Sequence, residues 1–252
     1  FEHPRLDIWH YKDDYLQTQQ LKNADAELKR SYTAVYHLKE NKMVQLGADD
    51  AEKITIVNEG NADWVLAESD KGNRVEGQWT LRTKSTAYVI NTNTGERRTV
   101  FKNLYVNAEA SPAGKFVYWY SPELKNYFTY EVSTGITKNV TAKIKAPLYD
   151  EKNDVPALPN NYGVMGWSKE DTALLIYDRY EVWKTYPSGN NLPTLLFDKS
   201  VQARKNKNTY RYVITNREDR FITEGRHLAF RVFSNVSKCS RYTLTNTNAP
   251  YT

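Results

Sequence analysis

The chain has 252 residues, enough for one large all-β domain or two small ones, and 40% of them are hydrophobic, as is ordinary for a soluble globular protein. Aromatic residues make up 13%, and nineteen are Tyr, a strand former that packs half-buried with its hydroxyl wet. The net charge of +5 comes from interspersed charges, which excludes a Lys/Arg block dense enough to track a phosphate backbone; Arg97-Arg98 and Lys205-Asn206-Lys207 come nearest and read as solvated turns, so no nucleic-acid partner is expected.

In chain order, the sequence opens at Phe1 without a Met, and residues 6–11 alternate as a strand running into a loop. Residues 17–29 carry Leu21 and Leu28 seven apart in polar surroundings and read as a loop with a few helical turns. Residues 33–38, a turn at Glu40-Asn41 and residues 43–46 read as strand, turn and strand.

A repeat then begins. Its first element is a short turn, often with Gly, followed at once by an aromatic-rich or alternating strand. Copies are the turn 58–61 before strand 63–68, 111–115 before 116–120, 167–171 before 173–177, and 223–226 before 227–233. The turn positions Gly60, Gly114, Asp171 and Gly225 are separated by 54, 57 and 54 residues. Unrelated hairpins would not hold that pitch, and fixed-period self-similarity signals a repeat architecture.

The second element is a strand, a two-residue turn and another strand. It occurs at 87–101 around Thr94-Gly95, at 127–141 around Thr134-Gly135, and at 181–197 around Ser188-Gly189; residues 241–246 begin a last copy. Gly supplies the positive φ such turns need. One more strand precedes each first element, at 54–57, 104–107, 162–165 and 210–214.

Four strands per repeat make an antiparallel blade, and blades stack because none can bury both faces alone. The expectation is an all-β fold, a β-propeller of four-stranded antiparallel blades. It has a partial blade at 1–47 and blades at about 54–101, 104–141, 162–198 and 210–252, all within one propeller fragment, 1–252. The last of these is cut off at its end. Insertions at 70–85, 142–161 and 199–208 lengthen the pitch beyond that of WD40 or kelch repeats. A β-sandwich is the competing fold, but it predicts no long-range repeat of the turn.

Catalytic spacings are absent. The sequence has no G-x-S-x-G, H-E-x-x-H, C-x-x-C, P-loop or G-x-G-x-x-G, so no catalytic, metal or cofactor residue is assigned. His3, His10, His37 and His227 are scattered and read as core or surface residues. Asp13-Asp14 and Asp49-Asp50 read as solvated turn residues, and nothing selects a glycosidase-type carboxylate pair. Cys239 reads as a small buried or half-buried side chain. Asn139 and Asn235 fit the glycosylation pattern, which is common by chance. The aromatic and charged run 9–14 reads as structure. No run of ~18 apolar residues marks a membrane span, and no signal peptide is visible. Both ends suggest a fragment.

The turn at Ser111-Pro112-Ala113-Gly114-Lys115, followed by Phe116-Val117-Tyr118, resembles the S-P-D-G-K strand entry of TolB-like and dipeptidyl-peptidase-like propellers, with Ala113 in place of the usual Asp. The turn 167–171 is a more degenerate copy. Residues 6–20 followed by 32–38 resemble the N-terminal propeller of prolyl-oligopeptidase-family serine peptidases of the large exported kind found in Bacteroidetes. That resemblance implies a non-catalytic propeller set over a C-terminal α/β-hydrolase domain, admitting only short or unfolded peptides, in the periplasm or otherwise exported. In some members propeller acids or an Arg hold the substrate's end, but no position here matches such a motif. A TolB-like propeller acting as a protein-binding scaffold is the alternative. A family propeller has seven or eight blades, so open blade edges and self-association are also expected.

Overall fold

A computed structural model describes residues 6–80, 82–197, 202–223 and 225–246. The turns govern the architecture. Gly60, Gly114, Asp171 and Gly225 all have positive φ, at 88°, 77°, 55° and 81°. That backbone region is easy for Gly and tolerable for Asp. The second turn repeats the device, with Gly95, Gly135 and Gly189 at 76°, 73° and 68° and Asn41 at 49°. Each turn reverses the chain, and the β-branched and aromatic runs between them pair as antiparallel ladders.

The chain folds as two compact units, Phe1–Asn107 and Ala108–Thr252. The first unit begins with helix α1 (Gln17–Leu28), followed by a two-stranded sheet, β1 (Ala34–His37) and β2 (Lys42–Gln45). A four-stranded meander comes next: β3 (Lys53–Ile56), β4 (Trp64–Ser69), β5 (Ser85–Asn91) and β6 (Arg97–Leu104). The short helix α2 (Gly77–Thr80) sits in the insertion between β4 and β5. Every residue of β4 is buried, as expected of a strand covered on both faces. Val44 and Leu46 pack against Val65, Ala67 and Ile90, which seats the two sheets on each other.

The second unit holds two further four-stranded meanders. One is β7 (Glu109–Ala110), β8 (Phe116–Ser121), β9 (Asn126–Glu131) and β10 (Ile136–Asn139). The other is β11 (Val164–Trp167), β12 (Leu174–Tyr177), β13 (Val182–Thr185) and β14 (Thr194–Leu195). A three-stranded sheet follows: β15 (Asn208–Tyr212), β16 (His227–Ser234) and β17 (Ser240–Asn246). Its fourth strand would fall after Asn246, outside the described residues. The chain is therefore all-β, with blades of the β-propeller type.

Apolar faces join neighbouring blades. Trp167, 3% exposed, lies 6.1 Å from Phe116 and 5.2 Å from Tyr118 between the two meanders of the second unit. Phe230, fully buried, packs edge-on against Phe197 at 5.0 Å and joins Leu175 and Val182 in the next seam. Burying such a side chain contributes about 1.5–3 kcal/mol.

Polar ties recur at the seams. In the first unit the cross-strand pair His37 and Lys42 meets the next hairpin turn, His37 Nε2 3.0 Å from the Thr92 carbonyl and Lys42 Nζ donating to the Asn93 carbonyl at 3.0 Å. In the second unit the cross-strand pair Thr129 and Lys138 does the same. Thr129 donates to the Pro187 carbonyl at 2.8 Å and Lys138 to that of Ser188.

The strongest tie is Asp171, 2% exposed. Its carboxylate accepts from Ser111 Oγ at 2.6 Å, from the Ala113 N–H at 3.0 Å and from the Lys115 N–H at 3.1 Å. The turn that carries Ala113 is thus held by a carboxylate from the next blade. The loop after β15 adds a strap: the Ile222 N–H donates to the Trp167 carbonyl at 2.7 Å, and Arg220 donates to the Pro112 carbonyl.

Three expectations change. Residues 17–28 form a helix, not a loop, because they are dominated by strong helix formers (Ala, Leu, Gln, Glu, Lys). No helix residue is buried, so hydrophobic periodicity gave no signal. Residues 6–10 form no strand, since no neighbouring strand pairs with them; Leu6 and Tyr11 are 82% and 86% exposed. The strand expected at 104–107 is displaced: Leu104 ends β6 opposite Ser85, and β7 starts at Glu109. The insertion 142–161 is irregular apart from a bridge between Tyr149 and Asn161. His3, part of 199–208 and the predicted segment after Asn246 lie outside the described residues.

Candidate functional site

The densest charged constellation lies in the first unit, where residues 13–30 meet the insertion 70–74. The turn begun by Asp70 brings Arg74 back toward its own start, with the Asn73 N–H donating to the Asp70 carbonyl at 2.9 Å. Arg74 is only 10% exposed at its side chain. Its Nε donates to Asp70 Oδ1 at 2.7 Å, and its Nη2 donates to Glu52. Its Nη1 lies 3.2 Å from Asp14 Oδ2, and its backbone N–H donates to Asp14 Oδ1 at 3.1 Å. The guanidinium also stacks 4.5 Å from the Tyr15 ring.

Glu52 is shared with Arg30, which also holds Glu27 at the end of α1; both contacts are 2.5 Å. This network anchors the exposed helix without a buried face.

The electrostatics follow from these contacts. Hydrogen bonds from Arg30 to Glu27 and Glu52 raise its pKa well above the usual arginine range. Burial pushes Arg74 down, but the Asp70 hydrogen bond and the charges of Asp70 and Glu52 outweigh it, and the net shift is upward. Burial raises the Tyr15 hydroxyl, with the Arg74 charge opposing.

Three clefts open around Tyr15. One of about 510 Å³ is lined by Glu52, Lys53, Glu68, Asp70, Ser85 and Asn107, among others. A second, about 430 Å³, runs along the start of α1 past Asp13, Asp14, Gln20 and Glu27. The third, about 380 Å³, lies over Arg30, Asp49, Lys71 and Arg74. The walls are polar and carry more acids than bases. Most of these acids are already paired with lining bases, so the clefts suit hydrogen bonding to a polar group more than capture of a free cation. Proton transfer is a poor fit, because the central carboxylates Asp14, Glu52 and Asp70 already face Arg74.

The residues weighed from sequence fall as follows. Asp14 is not a solvated turn residue but a partner of Arg74, and Asp49 and Asp50 pair with Lys71 and Arg97. His10 lies 3.8 Å from Asp13 in an exposed setting, His37 serves the seam, and His227 is exposed on β16. Cys239 is exposed. The Asn235 side-chain amide donates to the Lys207 carbonyl and to Thr209 Oγ1. Among the described residues no group of three His, Cys, Asp or Glu could hold a metal ion. No described helix is long and apolar enough to cross a membrane. Arg74, Glu52 and Arg30 were not visible in the sequence, since their partners lie up to sixty residues away.

No family model matches the chain, and no curated protein matches it in sequence. Among solved structures it is similar to TolB from Acinetobacter baumannii, at 12% identity and a TM-score of 0.35, over 86% of this chain and 49% of that one. It is similar to dipeptidyl peptidase 4 from Porphyromonas gingivalis, at 10% identity and 0.44, over 86% and 29%. It is also similar to acylaminoacyl peptidase from Pyrococcus horikoshii, at 12% identity and 0.38, over 84% and 33%. The chain thus spans about half the length of the TolB structure and a third or less of the two peptidases.

Proposed function

We propose that this chain is the non-catalytic propeller of an exported serine peptidase of the prolyl-oligopeptidase type, gating and positioning peptides for a hydrolase domain that lies outside it. The observation that carries this reading is the strand entry Ser111–Lys115, whose sequence bears the resemblance and whose backbone is clamped by the buried Asp171. A filter that excludes folded proteins has to keep its blades from parting. Buried charge-assisted hydrogen bonds across a seam do that more firmly than surface ion pairs. The clefts around Tyr15 and Arg74 supply a surface on which a peptide's amide groups can rest.

The test reads the parent gene beyond codon 252 and then its product. A G-x-S-x-G motif within a few hundred codons, together with cleavage of short peptides and sparing of the same sequences inside folded proteins, is the expected result. A stop codon after one or two further blades would overturn it in favour of a TolB-like protein-binding scaffold.

A further inference from the structure

The sheet β15-β16-β17 carries a charge arrangement that its folding does not require. Arg211 on β15 lies directly opposite Arg231 on β16, and Tyr242 on β17 lies opposite Arg231. Residues paired in this way share one face of a sheet, and like charges directly opposite destabilise it. Among the described residues, neither guanidinium forms an ion pair with a carboxylate.

Arg211 is half-buried. Its Nη1 donates to the Tyr210 carbonyl at 2.8 Å and its Nη2 to the Asp178 carbonyl at 3.1 Å. Its plane lies 4.5 Å from the Tyr177 ring and 5.8 Å from that of Tyr162. A guanidinium carries five N–H donors, so three remain. The nearby Asp178 carboxylate is already committed. It accepts from the Tyr180 and Glu181 N–H groups at 2.6 and 2.7 Å, from Trp183 Nε1 at 2.9 Å and from Arg204 at 2.5 Å. Glu181 lies toward Arg204, at 3.8 Å. A third guanidinium, Arg179, stacks 5.2 Å from the Tyr180 ring and likewise forms no ion pair among the described residues.

Burial holds Arg211 below the usual arginine range, and the Arg231 charge adds to this against Tyr177 and Asp178. Two carbonyls and the Tyr177 ring compensate Arg211 only in part, and Arg231, opposite it, is exposed; among the described residues no carboxylate completes either. We propose that the Arg211–Arg231 pair is a binding site for an oxyanion, a carboxylate or a phosphate group. Tyr242, 73% exposed in the same cross-strand row, offers a ring to the rest of such a ligand. The inference does not depend on the peptidase reading.

The experiment follows the arginine Nε–Hε resonances of the whole 252-residue chain by NMR. Inorganic phosphate and N-acetylglycine are titrated separately, with ionic strength held constant by chloride. Saturable shifts at Arg211 and Arg231 are expected, and the tighter of the two probes identifies the source of the anion. Arg231→Gln should weaken that binding about tenfold, a change of about 1.4 kcal/mol. Arg226→Gln, an exposed arginine paired with Asp219, should leave it unchanged. Ligand-free Arg231→Gln should melt at or above the wild-type temperature, because it relieves repulsion. Shifts no larger than chloride alone produces, binding unaffected by Arg231→Gln, or a lowered melting temperature would each overturn the proposal.

Discussion

Replacing Asp171 tests how the blades are held together. In the native protein its carboxylate satisfies one hydroxyl and two backbone N–H donors of the neighbouring blade's turn from a position 2% exposed. Each buried donor left without an acceptor costs about 1–3 kcal/mol, and hydrogen bonds to a charged group lie at the upper end of the usual range. The three losses are not additive, because they share one turn that can relax and admit water. Asp171→Ala is therefore expected to lose about 3–5 kcal/mol, less than the sum of three buried donors left unsatisfied. Asp171→Asn keeps one carbonyl oxygen but turns an amide toward existing donors, and should lose about 1.5–3 kcal/mol. The backbone adds a smaller effect. At a φ of 55°, Ala is strained by about 1–2 kcal/mol where Gly is not, so Asp171→Gly isolates that part. Urea unfolding followed by tryptophan fluorescence reads all three variants, since Trp167 sits in the same seam. An Asp171→Asn variant within about 0.5 kcal/mol of wild type, the scatter of an ordinary surface substitution, would refute the clamp.

Other outcomes follow from the same contacts. Phe230→Ala should cost about 3–5 kcal/mol, measured by the same unfolding, because the ring is fully buried between two sheets. Arg74→Ala leaves Asp14, Glu52 and Asp70 facing one another and should speed amide exchange across residues 13–30, with little effect on exchange in β8 or β12. Burial raises the hydroxyl pKa of Tyr118, Tyr127 and Tyr177 above 10 in the folded state. Their contribution to stability is complete below pH 10 and is lost as pH rises above it, because only the unfolded chain ionises there. Absorbance of tyrosinate at 295 nm should show these residues titrating together with unfolding and not before it.

Much of the blade pattern was legible because the backbone demands it. Gly60, Gly114, Asp171 and Gly225 recur at nearly constant spacing since each occupies a positive-φ position that reverses the chain. Asp171 shows how a degenerate copy can be informative: its carboxylate bonds the turn around Ala113 in the adjacent blade. The helix 17–28 was not legible as one because it buries nothing, so no apolar period marks it. The cleft around Arg74 was hidden for a different reason. Its charges look like ordinary solvated residues until folding brings Asp14, Glu52 and Asp70 to one guanidinium. The Arg211–Arg231 opposition likewise depends on strand register, which turn spacing alone does not set.

On the proposed reading, this chain shapes access to chemistry carried out elsewhere. The most direct test of that reading is the release of p-nitroaniline from alanyl-prolyl and aminoacyl p-nitroanilides by the purified 252-residue chain. No turnover above the buffer blank is expected at any chain concentration. Turnover that rises in proportion to the chain and follows it through purification would contradict it.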